Sequence, residues 1–168
     1  RHSGAGHGES KKLFTGEMFT KEEMISLLSI IPKTNKKGEP SPNGVRHYAI
    51  MDLFLGMGLR RDEICSIKME DLEMPLTRVW KVKLHRKRGK LQVLEIPKAQ
   101  RSSLEIWLKI RWHPESPYLF VSRTGHKPNP EAIRKSIKRY LKMIGIYEKG
   151  VACHVLRHSF ATLWSAEV

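Results

Sequence analysis

Gly56-Met57-Gly58-Leu59-Arg60-Arg61-Asp62-Glu63-Ile64-Cys65-Ser66-Ile67 is the stretch on which the reading of this chain turns. The segment before it, Val45 to Met57, is largely apolar and reads as a helix, which the Gly56-Met57-Gly58 pair is expected to break. A short helix resumes through Arg60–Ile67, placing Arg60 at its entry. An arginine held at a tight, glycine-preceded turn presents a planar fork of donors that matches two phosphate oxygens. Taken alone, Arg60 has a plainer reading as a surface arginine paired with a nearby acid such as Glu63. The rest of the chain decides between the two.

Upstream, Thr20-Lys21-Glu22-Glu23 is a capping box that starts a helix. Met24, Leu27, Leu28 and Ile31 then recur at helical spacing until Pro32 stops them. Residues 33–44 read as a polar loop carrying Pro40, Pro42 and Gly44. Downstream, residues 78–97 alternate as a β-hairpin should. Val79, Lys81, Lys83 and His85 interleave with Trp80, Val82 and Leu84, and Leu91, Val93 and Leu94 return toward Ile96 and Pro97. Its turn is Arg86-Lys87-Arg88-Gly89-Lys90. A helix is expected from about Gln100 to Trp112, with Trp107 and Trp112 in the core. Tyr118–Val121 reads as a short extended piece, and residues 122–130 as a loop. Asn129-Pro130 opens what reads as the longest helix, with proline in the first turn. Ile133, Ile137, Leu141 and Ile144 form its apolar stripe, while Arg134, Lys138 and Lys142 share another face. A last helix begins near His154. The fold class is therefore α+β, mainly helical, with a small antiparallel β-sheet or hairpin. One domain is expected over residues 16–168, preceded by a flexible linker or cloning remnant over residues 1–15.

Charge narrows the partner. Thirty-one Lys and Arg against 17 Asp and Glu give a formal net charge of +14, which suits a polyanion, with nucleic acid the default. Residues 81–90 hold six of those cations and no acid, which favours phosphate contact over plain solvation. No apolar run approaches a membrane span, and there is no signal-peptide pattern. The two cysteines, Cys65 and Cys153, have no paired spacing, so neither a zinc ribbon nor a disulfide framework is expected. Both are read as reduced core thiols.

The second informative string is His154-Val155-Leu156-Arg157-His158-Ser159-Phe160-Ala161-Thr162. His154 and Arg157 are spaced i, i+3 and share one helix face, offering an imidazole and a guanidinium to one phosphate. A lysine on a hairpin turn is suited to act as general acid toward a leaving oxygen. Preorganised cations around the reacting phosphate are the main requirement of phosphoryl transfer. His154 and His158 at i, i+4 also suggest a metal site. However, the glutamate of a His-Glu-x-x-His motif is absent and no third ligand is evident, so no metal is expected.

Taken in order, Gly-Leu-Arg-x-x-Glu, the basic hairpin, the Tyr118-Leu119-Phe120 string with its basic helix, and His-x-Leu-Arg-His-Ser-Phe-Ala-Thr resemble the catalytic domain of tyrosine recombinases, the phage integrase family. The resemblance runs from about Phe19 to the end of the chain. It implies that Arg60 is the first catalytic arginine and that Glu63 is the acid supporting it. It also implies that His154 and Arg157 are the His-x-x-Arg pair, and that His158 is the histidine that follows it in a structural role. Lys87 best matches the hairpin lysine, with Lys90 in competition, because this turn departs from the family's Lys-Gly pattern. Arg86, Arg88, Arg134, Lys138 and Lys142 are candidate DNA-binding cations. The implied chemistry is strand cleavage and rejoining through a 3′-phosphotyrosyl link, without metal or nucleotide cofactor.

The family places its tyrosine nucleophile downstream of the His-x-x-Arg helix. Eleven residues follow Arg157 and none is tyrosine, while Tyr48, Tyr118, Tyr140 and Tyr147 lie upstream. Tyr118 and Tyr140 read as core or helix-face aromatics. The expectation is a catalytic domain truncated before its nucleophile and lacking the N-terminal core-binding domain, monomeric alone and part of a homotetramer on double-stranded DNA when whole. Neither a membrane nor a small-molecule substrate is expected as partner. A cytoplasmic, nucleoid-associated protein of prokaryotic, phage or mobile-element origin fits this reading. The alternatives are a DNA-binding relative without a nucleophile and, ranked last for want of any stacking motif, an RNA-binding basic domain.

Overall fold

The structure is a computed structural model and describes residues 20–145. Five α-helices and three strands succeed one another within them. They are α1 (Lys21–Ile30), α2 (Pro42–Met57), α3 (Arg61–Ser66), β1 (Leu72–Glu73), β2 (Trp80–His85), β3 (Leu91–Ile96), α4 (Lys98–Ile110) and α5 (Pro130–Met143). The strands form one antiparallel sheet in the order β1-β2-β3. This is the expected mainly helical α+β architecture, with one strand more than the hairpin.

The Thr20 capping box forms as its sequence dictates: Glu23 N donates to Thr20 Oγ1 at 3.1 Å and Thr20 N donates to Glu23 Oε1 at 2.8 Å. Helix α2 starts three residues ahead of the expected Val45, because Ser41 caps it and Pro42 occupies a first-turn position. Nor does Gly56 break it. The helix runs through Gly56 to Met57, and Gly58 alone ends it in a left-handed conformation (φ 62°, ψ 31°), with its N–H bonded to Phe54 O at 3.0 Å. Gly56 does something else. A Cβ there would lie 2.1 Å from Gln100 Cδ on α4, so the residue is small to let two helices approach. Asp52, one turn earlier and buried, accepts from Gln100 Nε2 at 2.8 Å and from Ser103 Oγ at 2.5 Å. The α2–α4 contact thus has a satisfied polar lock beside an apolar one.

Around this contact lies the core, in which Phe54, Leu59, Ile64, Leu84, Leu104, Trp107, Leu119 and Phe120 are all but fully enclosed. Each such side chain contributes roughly 1.5–3 kcal/mol by leaving water. Strand β2 follows its alternation, with Trp80, Val82 and Leu84 inward and Lys81, Lys83 and His85 outward. Strand β3 returns along β2 as expected, but most of its side chains are exposed. Leu91 and Val93 pair with His85 and Lys83 and so share their exposed face; only Ile96 is buried. Strand β1 is two residues long and pairs Leu72 with Val82 and Glu73 with Lys81, too short to leave a periodic signature.

Tyr118–Val121 is not a sheet strand. It makes a single bridge from Tyr118 to Lys68, and Leu119 to Val121 are buried in succession. Helix α4 is shifted to Lys98–Ile110, with Trp107 fully buried and Trp112 beyond its end and half-buried. At 14 residues α5 is shorter than the 16-residue α2, which the sequence reading cut short. Its buried face is Ile133, Ile137, Tyr140 and Leu141.

Candidate nucleic-acid interface

Arg60 is the N-cap of α3, in an extended conformation. Glu63, at the third helical position, folds back: its Oε1 accepts from Arg60 N at 2.8 Å and its Oε2 from Arg60 Nη1 at 3.4 Å. The Glu63 side chain is only 7% exposed, while that of Arg60 is 46% exposed. The acid is therefore an anchor and the arginine a presented group.

A third residue joins them. Arg86, at the start of the hairpin turn, brings Nε to 3.1 Å from Glu63 Oε2, with its side chain 24% exposed. Although close, this pair does not have hydrogen-bond geometry, and the buried Nε–H has no hydrogen-bond partner among the described residues. Glu63 thus holds two guanidiniums with one carboxylate. Among the turn cations, Arg86 is the one the described structure brings to Arg60.

The turn itself is closed by Arg86 N donating to Lys90 O at 2.7 Å. Arg88 and Gly89 both take positive φ, 62° and 69°. Lys87, Arg88 and Lys90 are exposed. Beside the turn, His85 Nε2 lies 3.0 Å from Oδ1 of the buried Asp71, whose Oδ2 accepts from Lys68 N at 3.0 Å. This contact pins the end of β2 to the turn that follows α3, so the hairpin reaches Arg60 from a fixed base.

Helix α5 delivers its cations less freely than the i, i+4, i+8 pattern suggested. Arg134 is hydrogen-bonded side-on to Glu131 through Nε and Nη2. Glu131 also lies 3.7 Å from Arg61 Nη1, and the Arg134 hydrogen bonds, foremost, hold its carboxyl below the ordinary range. Lys138 is half-buried and Lys142 is exposed.

Between α2 and α5 sits a buried pair. His47 Nδ1 is 2.7 Å from Tyr140 Oη. Burial, reinforced by Arg46 and Arg139, pushes the His47 pKa down to about 3. This imidazole is a neutral core group.

His154, Arg157, His158 and Cys153 lie outside the described residues, as do Tyr147 and the proposed linker. Cys65 is buried. Among the described residues no group of three or more His, Cys, Asp or Glu could hold a metal ion, and no helix is long and apolar enough to cross a membrane. Sequence reasoning placed Arg86 with the DNA-contacting cations and missed its tie to Glu63, since the two are 23 positions apart and nothing local links them. It also missed Asp71, Asp52 and the Arg61–Glu131 contact for the same reason.

Residues 17–166 match the model of the phage integrase family. The XerC tyrosine recombinase of Pseudomonas fluorescens is 37% identical over 121 residues, which are 70% of this chain and 38% of that protein. The XerA tyrosine recombinase of Pyrococcus furiosus is 32% identical over 146 residues, 85% of this chain and 46% of that protein. The chain thus spans less than half the length of these relatives. In fold it is similar to the XerH site-specific recombinase bound to its difH substrate, with a TM-score of 0.75 at 21% identity, covering 90% of this chain and 43% of that one. With its Arg60–Glu63 pair at the head of α3 and a basic hairpin beside it, the chain belongs to the phage integrase family, the tyrosine recombinases.

Proposed function

We propose that residues 16–168 form the catalytic domain of a site-specific recombinase, which cuts and rejoins double-stranded DNA through a 3′-phosphotyrosyl intermediate. In this reading Arg60, His154 and Arg157 hold the scissile phosphodiester, and Glu63 fixes Arg60. A tyrosine hydroxyl attacks phosphorus, its proton passing to solvent or a base. The P–O bond to the 5′ oxygen breaks, and a turn lysine, Lys87 or Lys90, protonates that oxygen. A 5′ hydroxyl of the partner strand then attacks the phosphotyrosyl link and releases the tyrosine. The covalent link conserves the bond energy, so no nucleotide cofactor enters. The whole protein assembles as a tetramer on its DNA, in the cytoplasm and with the nucleoid.

The observation that carries this reading is the exposed guanidinium of Arg60 anchored on a nearly buried carboxylate beside a turn of four cations. A preorganised donor of this kind, aimed outward, stabilises the charge of a pentavalent phosphorane without reorganising. The test uses the complete gene product on a nicked suicide duplex carrying a site it verifiably binds. A covalent protein–DNA adduct on a denaturing gel is the expected outcome. Binding without any adduct rejects strand transfer and leaves a DNA-binding relative without a nucleophile.

A further inference from the structure

We propose that Arg86 is a second phosphate-gripping residue of the Arg60 site, and that the two arginines share Glu63 as a common anchor and one DNA phosphate as a common ligand. This rests on the phosphate-holding reading of Arg60.

Three observations carry it. First, Glu63 Oε2 faces both guanidiniums, at 3.4 Å from Arg60 Nη1 and 3.1 Å from Arg86 Nε. Two positive charges on one carboxylate leave a surplus of one, with no second acid paired to either guanidinium among the described residues. One carboxylate offsets only one of the two guanidiniums, so the pair keeps a net positive charge that a phosphate in front of it would neutralise. Second, Arg86 uses its ion pair for placement and not for satisfaction. Its Nε–H has no hydrogen-bond partner, and its terminal nitrogens make no hydrogen bond among the described residues. A structural arginine in the same fold looks different: Arg111 donates to the carbonyls of Pro114, Ser116 and Tyr118. Arg111 thus engages three of its five guanidinium N–H donors, whereas those of Arg86 make no hydrogen bond among the described residues. Third, the backbone gives Arg86 a fixed root, since its N–H closes the turn on Lys90 O at 2.7 Å and the preceding His85 is held by Asp71 at 3.0 Å. The side chain therefore starts from an ordered position and ends next to Arg60. Lys87, Arg88 and Lys90 are exposed on the far part of the turn.

A phosphodiester has two non-bridging oxygens, and two guanidiniums facing it from different elements give a grip that neither provides alone. Because Arg86 comes from the hairpin, the same contact sets the turn lysines at a defined distance from the phosphate held by Arg60.

The test measures affinity of this chain for a short duplex by fluorescence anisotropy across a salt series, for the unaltered protein, Arg60→Ala, Arg86→Ala, Arg86→Lys and the Arg60→Ala/Arg86→Ala double variant. Thermal melts of each accompany it. Losing one phosphate contact lowers the log–log salt slope by about 0.9. If the phosphate is shared, the double variant should lose about 0.9 in all, not the ~1.8 of two independent contacts. Arg86→Lys, which keeps the charge, should retain most of the slope even where its melt resembles that of Arg86→Ala. A lowered slope for Arg60→Ala with an unchanged one for Arg86→Ala overturns the proposal and makes Arg86 a structural partner of Glu63. An additive double variant also overturns it, giving Arg86 a phosphate of its own. If neither the slope nor the affinity changes in Arg60→Ala, the underlying reading of the site is removed instead.

Discussion

Glu63 joins a helix end to a surface charge. One oxygen accepts from the Arg60 N–H and the other faces Arg60 and Arg86, so Glu63→Ala removes a cap and leaves two cations unopposed. The cap is worth about 1 kcal/mol, and the unopposed charges add to the loss. Urea denaturation should show a drop of roughly 1–3 kcal/mol, smaller in high salt. A variant as stable as the parent would mean that the carboxylate does not hold the site. His47 makes a different prediction. The unfolded imidazole titrates near 6.5 and the folded one at about 3. Between these values the unfolded chain binds a proton that the folded chain refuses. Stability contributed by the neutral form is therefore full above pH 6.5 and falls as pH drops toward 3, by a few kcal/mol at most. Melting temperature followed from pH 7 to 4 should decline in the parent, and His47→Gln should flatten that decline. An equally steep decline in the variant would rule His47 out as its source.

At the scale of elements, the α2–α4 contact depends on what Gly56 lacks. Adding a methyl at 2.1 Å from Gln100 Cδ meets a side chain that cannot swing away, because Asp52 holds its amide. Gly56→Ala should cost about 1–3 kcal/mol in chemical denaturation, despite alanine's better helix propensity. A gain in stability would show that Gln100 moves aside freely. The hairpin turn offers the opposite case. Arg88 sits at φ 62°, a region that favours glycine, so Arg88→Gly should stabilise the fold by up to about 1 kcal/mol while weakening duplex binding.

These two positions also show how far the sequence was readable. The capping box at Thr20, the alternation of β2 and the stripe of α5 are local patterns, and they gave the elements nearly as observed. Gly56 was misread as a breaker because a glycine that permits close approach and one that ends a helix look the same in one dimension. Strand β1 was missed because two residues carry no period. Arg60 and Glu63 were legible together because three residues separate them. Arg86 was seen as a cation, but its place on Glu63 depends on the hairpin turn meeting the head of α3, which no spacing records.

At the scale of the molecule, a formal charge of +14 is organised and not merely abundant. Glu63 and Glu131 each gather two arginines, at the head of α3 and the start of α5, while Lys87, Arg88 and Lys90 of the hairpin turn stay exposed. Binding to duplex DNA should accordingly fall steeply with salt, tenfold or more between low and physiological ionic strength. A flat dependence would mean that the charge serves solubility alone. The most direct test of Arg60 as a phosphate holder is a methylphosphonate scan. Duplexes selected for binding this chain are remade with each phosphate neutralised in turn, and affinities are compared for the unaltered protein and Arg60→Ala. The expected result is one phosphate whose neutralisation weakens binding to the unaltered protein and has a clearly smaller effect on Arg60→Ala. A penalty at that phosphate that persists undiminished in Arg60→Ala would contradict it.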